Sequence, residues 1–241
     1  MTWSYYCLTY RSLQKRARMT SRFNQLGLNV KFWEGHHALD PECAPPLHEL
    51  EYAQQNHTWD AHAWSVLQGH LMIMRDFLSK SDCDFLCVME DDVHIRKDFP
   101  QEQPIIQAQF NKLKLDVCML GYLTANILFS GHYMYEPLTP TYAYLQYPHN
   151  VYGTQMYVVS RSYAQTIWDS YGATSAWHSQ VFTGDLWRPA DWIITKQGHR
   201  ACIYPVMAVE ESGGGLAYQH TEQTDWHAMC HEAQYDADKF V

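Results

Sequence analysis

The first 36 residues constrain the fold more than any others. SYYCLTY, residues 4 to 10, is β-branched and aromatic enough to read as a buried strand. RSLQKRARMTSRFNQLG follows with apolar residues at Leu13, Met19, Phe23 and Leu26, the spacing of a helix that Gly27 stops. LNVKFWEGH then reads as a second strand. A strand, a helix and a strand in 36 residues predict a crossover connection, hence a parallel sheet with helices on its faces. The expected class is α/β, with a Rossmann-like, mainly parallel central sheet flanked by helices.

Later segments fit that class. AHAWSVLQGHLMIMRDFLSKS carries Trp64, Leu67, Leu71, Met74, Phe77 and Leu78 on one helical face. DFLCVM and LDVCMLG, the latter at 115 to 121, read as short buried strands. YGTQMYVVSRSYAQTIWDSYG predicts a strand and then a helix capped at Ser160 or Ser162. WRPADWIITKQG, a strand-like RACIYPVMAV, a Gly213-Gly214-Gly215 loop and a His-rich polar tail complete the chain. The Pro-rich stretch 40 to 60 and the aromatic stretch 130 to 150 read as surface loops.

Composition narrows the function. With 241 residues the chain is expected to form one domain over 1–241. A formal charge of -9 argues against nucleic acid as a partner, which wants a basic face. No apolar run is long enough to span a bilayer and no secretory leader is evident, so a soluble, cytoplasmic protein is expected. Seven cysteines without C-x-x-C spacing fit small core hydrophobes in a reducing compartment.

The chemical signal is the end of DFLCVMEDDV. Three adjacent carboxylates, Glu90, Asp91 and Asp92, follow an apolar strand, and parallel α/β sheets bind ligands beyond the carboxyl ends of their strands. Such a cluster needs a cation, hydrogen bonds or water to offset its repulsion. A hard divalent ion carrying a phosphate is one candidate, and a solvated turn or helix cap is the other.

Several blocks in order resemble glycosyltransferase family 25, the lipopolysaccharide and collagen galactosyltransferase group. They are LTYRSLQKRARM, SVLQGHL, the EDDV that ends the apolar strand, DVCMLG, GTQMYVVSR and PADW, together spanning roughly residues 5 to 210. Leu8 and Thr9 replace the Asn and Leu found in that family, and Gly69 replaces its Ser. The resemblance implies a GT-A fold with a nucleotide-sugar-binding half at about 1–125 and an acceptor-binding half at about 126–241, and an inverting transfer from a nucleoside-diphosphate sugar, expected to be a UDP-sugar, to a hydroxyl of a glycan or glycoconjugate acceptor. It implies Mn²⁺ or Mg²⁺ on the donor diphosphate, with Asp92 the direct ligand and Glu90 or Asp91 turned toward ribose or a metal-bound water. His220 is the candidate that completes the metal shell. Asp191 is the expected base, with Asp185 the alternative. Leu8, Thr9, Arg11, Arg16, His70, Thr154 and Gln155 are candidate donor contacts. His227 and His231, four apart, are read as surface residues. A metal-dependent phosphoesterase or nuclease and a non-catalytic carbohydrate-binding module are the alternatives.

Overall fold

The computed structural model describes residues 2–40, 51, 54–55, 61–123, 142–146, 151–172, 189–211 and 221–241. Asp185 and His220, the triple glycine and most of both predicted surface loops lie outside the described residues.

Strand β1 (Trp3–Thr9), helix α1 (Leu13–Leu26) and strand β2 (Val30–Glu34) form the opening crossover. β1 pairs parallel with β2, Tyr5 opposite Val30. Ser12 caps α1 by accepting from the Lys15 amide, and Gly27 ends it at φ 65°, a left-handed geometry that glycine adopts without strain. Helix α2 (Ala61–Lys80) leads into β3 (Phe85–Glu90), and a tight turn at Asp91 and Asp92 leads into β4 (Val93–Ile95). Helix α3 (Phe99–Lys112), β5 (Val117–Leu123), β6 (Ala143–Leu145) and β7 (Tyr152–Ser160) follow. Helix α4 (Arg161–Ile167) runs into a π-turn at Trp168–Gly172. The remaining elements are α5 (Ala190–Ile194), β8 (Arg200–Tyr204), β9 (Ala208–Glu210) and α6 (Thr221–Gln234).

Seven strands make one sheet in the order β2-β1-β3-β7-β5-β8-β6, and β4 with β9 make a separate two-stranded ribbon. Five of the seven strands run one way; β7 and β6 run against them. The expected α/β class, with a mainly parallel sheet flanked by helices, is what the chain forms. The strand-like RACIYPVMAV divides into β8 and β9 around a cis Tyr204–Pro205 bond, and β9 leaves the main sheet for the ribbon.

Both faces of the sheet are covered, so its central strands are apolar throughout. Phe85, Cys87 and Met89 of β3 face a core built with Met19 and Phe23 of α1 and Phe99 and Phe110 of α3. Leu86 and Val88 face the opposite core with Trp64, Leu67, Leu71 and Phe77 of α2 and Ile193 and Ile194 of α5. Each fully buried Leu or Phe of that α2 face contributes about 1.5–3 kcal/mol relative to exposure. Asp76 ties α2 to the sheet. Its buried carboxylate accepts from Tyr6 Oη at 2.8 Å and Lys80 Nζ at 2.7 Å and also meets Lys31. Burial opposes its charge, yet these donors hold the pKa down to about 2.

Two glycines permit close approaches. A Cβ at Gly69 of α2 would lie 2.6 Å from Leu8 Cδ1, so this helix position is kept bare by the end of β1. A Cβ at Gly121 of β5 would lie 2.8 Å from the Ala208 carbonyl oxygen, so the ribbon rests directly on the exit of β5.

Candidate active site

The carboxyl ends of β1 and β3 lie beside the start of β7, because β7 runs antiparallel and its first residues reach the edge where β3 ends. Glu90 and Thr154 meet there: the Thr154 hydroxyl donates to Glu90 Oε1 at 2.5 Å. His70, fully buried on α2, points Nε2 at the same oxygen from 3.6 Å, beyond ordinary hydrogen-bond length, while its Nδ1 lies 2.9 Å from Tyr157 Oη. Burial disfavours the charge on Glu90, but His70, Thr154 and Lys15 more than offset it, and its pKa lies below the ordinary carboxylate value.

Asp91 and Asp92 share a cation from α1. Lys15 Nζ donates to Asp91 Oδ1 at 2.9 Å and to Asp92 Oδ2 at 3.0 Å. The other oxygen, Asp92 Oδ1, is buried without a hydrogen-bond partner. Burial first, and the nearby Glu90 and Glu210 charges after it, push the Asp92 carboxyl up to about 7 although Lys15 pulls the other way.

The ribbon supplies a second acidic pair. Val93 pairs with Glu210, and the Glu211 amide donates to the Asp92 carbonyl at 2.6 Å, so the two acidic chain segments run side by side. Glu210 Oε2 accepts from Gln155 Nε2 at 3.4 Å and lies 2.9 Å from His227 Nδ1 on α6. His227 is raised in pKa by Glu210 chiefly, with Asp92 and Glu90 adding to it. Glu211 engages Arg18 at 2.9 Å and Arg22 at 2.7 Å. His231 approaches the Glu210 carbonyl at 2.7 Å. The two histidines therefore pack against the acidic ribbon and are partly buried, not surface residues.

Asp191 sits on α5 beside the start of β7. Its Oδ2 accepts from the Gly153 amide at 3.5 Å, one residue before Thr154, and its Oδ1 from the Trp192 amide at 3.0 Å. It lies inside the short helix, whose N-cap is Pro189. Burial raises its pKa against the pull of Lys196. The Lys196 ammonium rests 3.7 Å from the Tyr152 ring centre and 4.2 Å from that of Trp192, and burial lowers its pKa to about 8. Trp226 meets Tyr152 edge-on at 6.2 Å, so three aromatic rings from three elements gather beside Asp191.

The remaining sequence candidates divide. Leu8 and Thr9 end β1 at this edge; the Thr9 hydroxyl is buried without a partner, and its carbonyl accepts from the Gly35 amide at 2.7 Å. Gln155 is buried with Oε1 unpartnered. Gly153, at φ 103°, leaves the space that the Gln155 amide fills, since a Cβ there would lie 2.0 Å from Gln155 Oε1. Arg16 instead covers the Phe32 ring at 4.7 Å and faces Glu34 at 3.9 Å, and Arg11 covers the Tyr10 ring at 5.1 Å. Lys15, between these two arginines in sequence, reaches the carboxylates. Lys15, Glu210 and Lys196 are the site residues sequence reasoning did not select; the run MAVEE, apolar residues ending in two carboxylates, repeats the signature of VMEDD and was the available signal for Glu210.

Among the described residues, no three His, Cys, Asp or Glu side chains converge closely enough to hold a metal ion unaided. The six described cysteines form no disulfide, and no described helix is long and apolar enough to cross a membrane.

The chain matches no family model and no curated protein. It is similar to solved structures at low identity. The A197 protein of STIV superposes with a TM-score of 0.44 at 12% identity, over 92% of this chain and 100% of that one. S. aureus TarS, residues 1–349, superposes at 0.43 and 10% identity, over 88% of this chain and 61% of that one. A glycosyltransferase involved in glycosylation of the major capsid of PBCV-1 superposes at 0.36 and 10% identity, over 94% and 99%. At this level the likenesses assign no activity to the chain.

Proposed function

We propose that the chain is a GT-A-type glycosyltransferase moving a sugar from a nucleoside-diphosphate sugar, with a UDP-sugar as donor, to a hydroxyl of a glycan or glycoconjugate. The observation that carries this reading is the convergence of Glu90, Asp91 and Asp92 at the sheet's carboxyl edge with Asp191, joined through the consecutive residues Gly153 and Thr154. The ordered motif blocks support placement in family 25.

Asp92 would be the direct metal ligand in this reading, with Glu90 and, from the sequence, His220 as the further candidates. The donor set suits a hard divalent ion such as Mn²⁺ or Mg²⁺, because Asp92 Oδ1 is an orphaned buried oxygen and Glu90 is held ionised. When bound, that ion stabilises negative charge left on the diphosphate. The chain's own residues do the rest. The Thr154 hydroxyl fixes the Glu90 carboxylate, with the His70 ring beside it, and the unpartnered Thr9 hydroxyl is available to the nucleotide at the end of β1. Asp191 takes the proton from the acceptor hydroxyl as it attacks the anomeric carbon on the face opposite the leaving diphosphate, which inverts configuration. Burial raises its pKa, which strengthens it as a base, and Lys196 pulls the other way.

Thermal melts with UDP and a panel of other nucleoside diphosphates, with and without Mn²⁺, test the reading. Metal-dependent stabilisation by a nucleoside diphosphate is expected, and its loss in Asp92→Ala. A protein that no nucleotide stabilises in metal-replete buffer is not a transferase of this kind.

A further inference from the structure

We propose that Lys15 is an exchangeable counter-cation: it holds Asp91 and Asp92 when no divalent ion is present, and turns to the donor diphosphate when one binds. The inference rests on the metal site proposed above and assigns a role to a residue outside it. Lys15 bridges the two carboxylates at 2.9 and 3.0 Å, with all three side chains largely withdrawn from water. The other cations of α1 are committed elsewhere. Arg16 faces Glu34, Arg18 and Arg22 hold Glu211, and Arg22 also donates to the Val93 carbonyl at 3.0 Å.

Charge and shape both favour exchange. The carboxylates outnumber the one ammonium at this turn, and a divalent ion brings them twice its charge. A Lys ammonium meets each carboxylate through a single contact on a flexible stem, unlike the two-pronged grip of Arg, so it can leave without unlocking a fixed geometry. The stem is anchored, because the Lys15 amide is held by the Ser12 cap at 3.2 Å in the first turn of α1. A displaced ammonium therefore stays within side-chain reach of the turn, repelled by the incoming ion and attracted by the diphosphate that the ion carries. Two further groups are poised at the same turn: Asp92 Oδ1, and the fully buried His70 Nε2 aimed at Glu90, neither with a hydrogen-bond partner.

The test is a titration of Lys15→Met, Lys15→Arg and the parent with Mn²⁺, followed by free-ion electron paramagnetic resonance, and then with UDP at saturating Mn²⁺ by calorimetry. Thermal melts in chelator confirm that each variant is folded. Losing the competing charge should tighten Mn²⁺ binding by about tenfold or more in the Met variant and weaken UDP by about tenfold, a repulsion consistent with unit charges a few ångströms apart. Arg keeps the competing charge, so Mn²⁺ should bind Lys15→Arg no more tightly than the parent. Unchanged or weaker Mn²⁺ binding by a folded Met variant overturns the exchange and leaves the metal site standing. Absence of Mn²⁺ binding by both parent and Met variant overturns the metal site itself.

Discussion

Replacing Asp92 by Asn should make the metal-free protein more stable at pH 8. Unfolded, the Asp92 carboxyl loses its proton near 3.8; folded, near 7, because burial and the Glu90 and Glu210 charges oppose ionisation. Between those values the native state holds one proton more than the unfolded state, so stability falls as pH climbs through that window and levels off above it. At about 1.36 kcal/mol for each pK unit, the gap caps the loss at roughly 4 kcal/mol. The side chain is still 15% exposed, and Lys15 keeps Asp91 in the variant, so relaxation should bring the observed gain for Asn to about half of that cap. For a chain of this size a gain of about 2 kcal/mol raises the melting temperature by about 4–8 °C. The assay is a pair of melts in chelator at pH 8 and at pH 4, where a protonated Asp and an Asn are both neutral and the difference should close. Saturating Mn²⁺ should shrink the Asn advantage, since at a hundredfold excess over Kd the parent gains about 2.7 kcal/mol that Asn cannot claim in full. An Asn variant that is less stable in chelator at pH 8, by a margin that does not change toward pH 4, refutes the reasoning.

Asp191→Asn should lower transfer by about 10²–10⁴-fold in a protein that still melts cooperatively and no earlier than the parent, measured as UDP release in the presence of acceptor. Lys196→Met removes the charge that pulls Asp191 down, so the acidic limb of the pH-rate profile should move to higher pH; an unmoved limb would separate Lys196 from the base. Gly121→Ala drives a Cβ against the backbone oxygen of Ala208 and should cost about 1–3 kcal/mol in urea unfolding. Asp76→Ala removes the acceptor shared by Tyr6, Lys31 and Lys80 and should cost about 1.5–3 kcal/mol by the same measurement.

The elements legible in sequence are those whose signal is local. The apolar stripe of α2, the stop at Gly27 and the buried run of β3 need only near neighbours to be read, and Ser160 is the cap, accepting from the Tyr163 amide at 3.1 Å. β7 reads as a strand from its own residues, but its antiparallel course between β3 and β5 depends on partners 29 to 75 residues away. β4 and β9, three residues each, are too short to carry a period, and their pairing is what brings Glu210 to the carboxylate turn. Lys15 was hidden for a related reason. A cation in a first helical turn looks like part of a solvated face until residues 76 and 77 positions later fold back onto it.

The position of β7 also has a consequence for synthesis. When the ribosome has released only the residues up to Leu123, β3 and β5 lack the strand that lies between them, and each presents an apolar edge with unpaired amides and carbonyls. The central sheet closes only after Ser160 has emerged, and until then those edges are open to other nascent chains or to chaperones. Slow translation across the intervening stretch should lower soluble yield, and a truncation ending near residue 123 should aggregate where the intact chain does not.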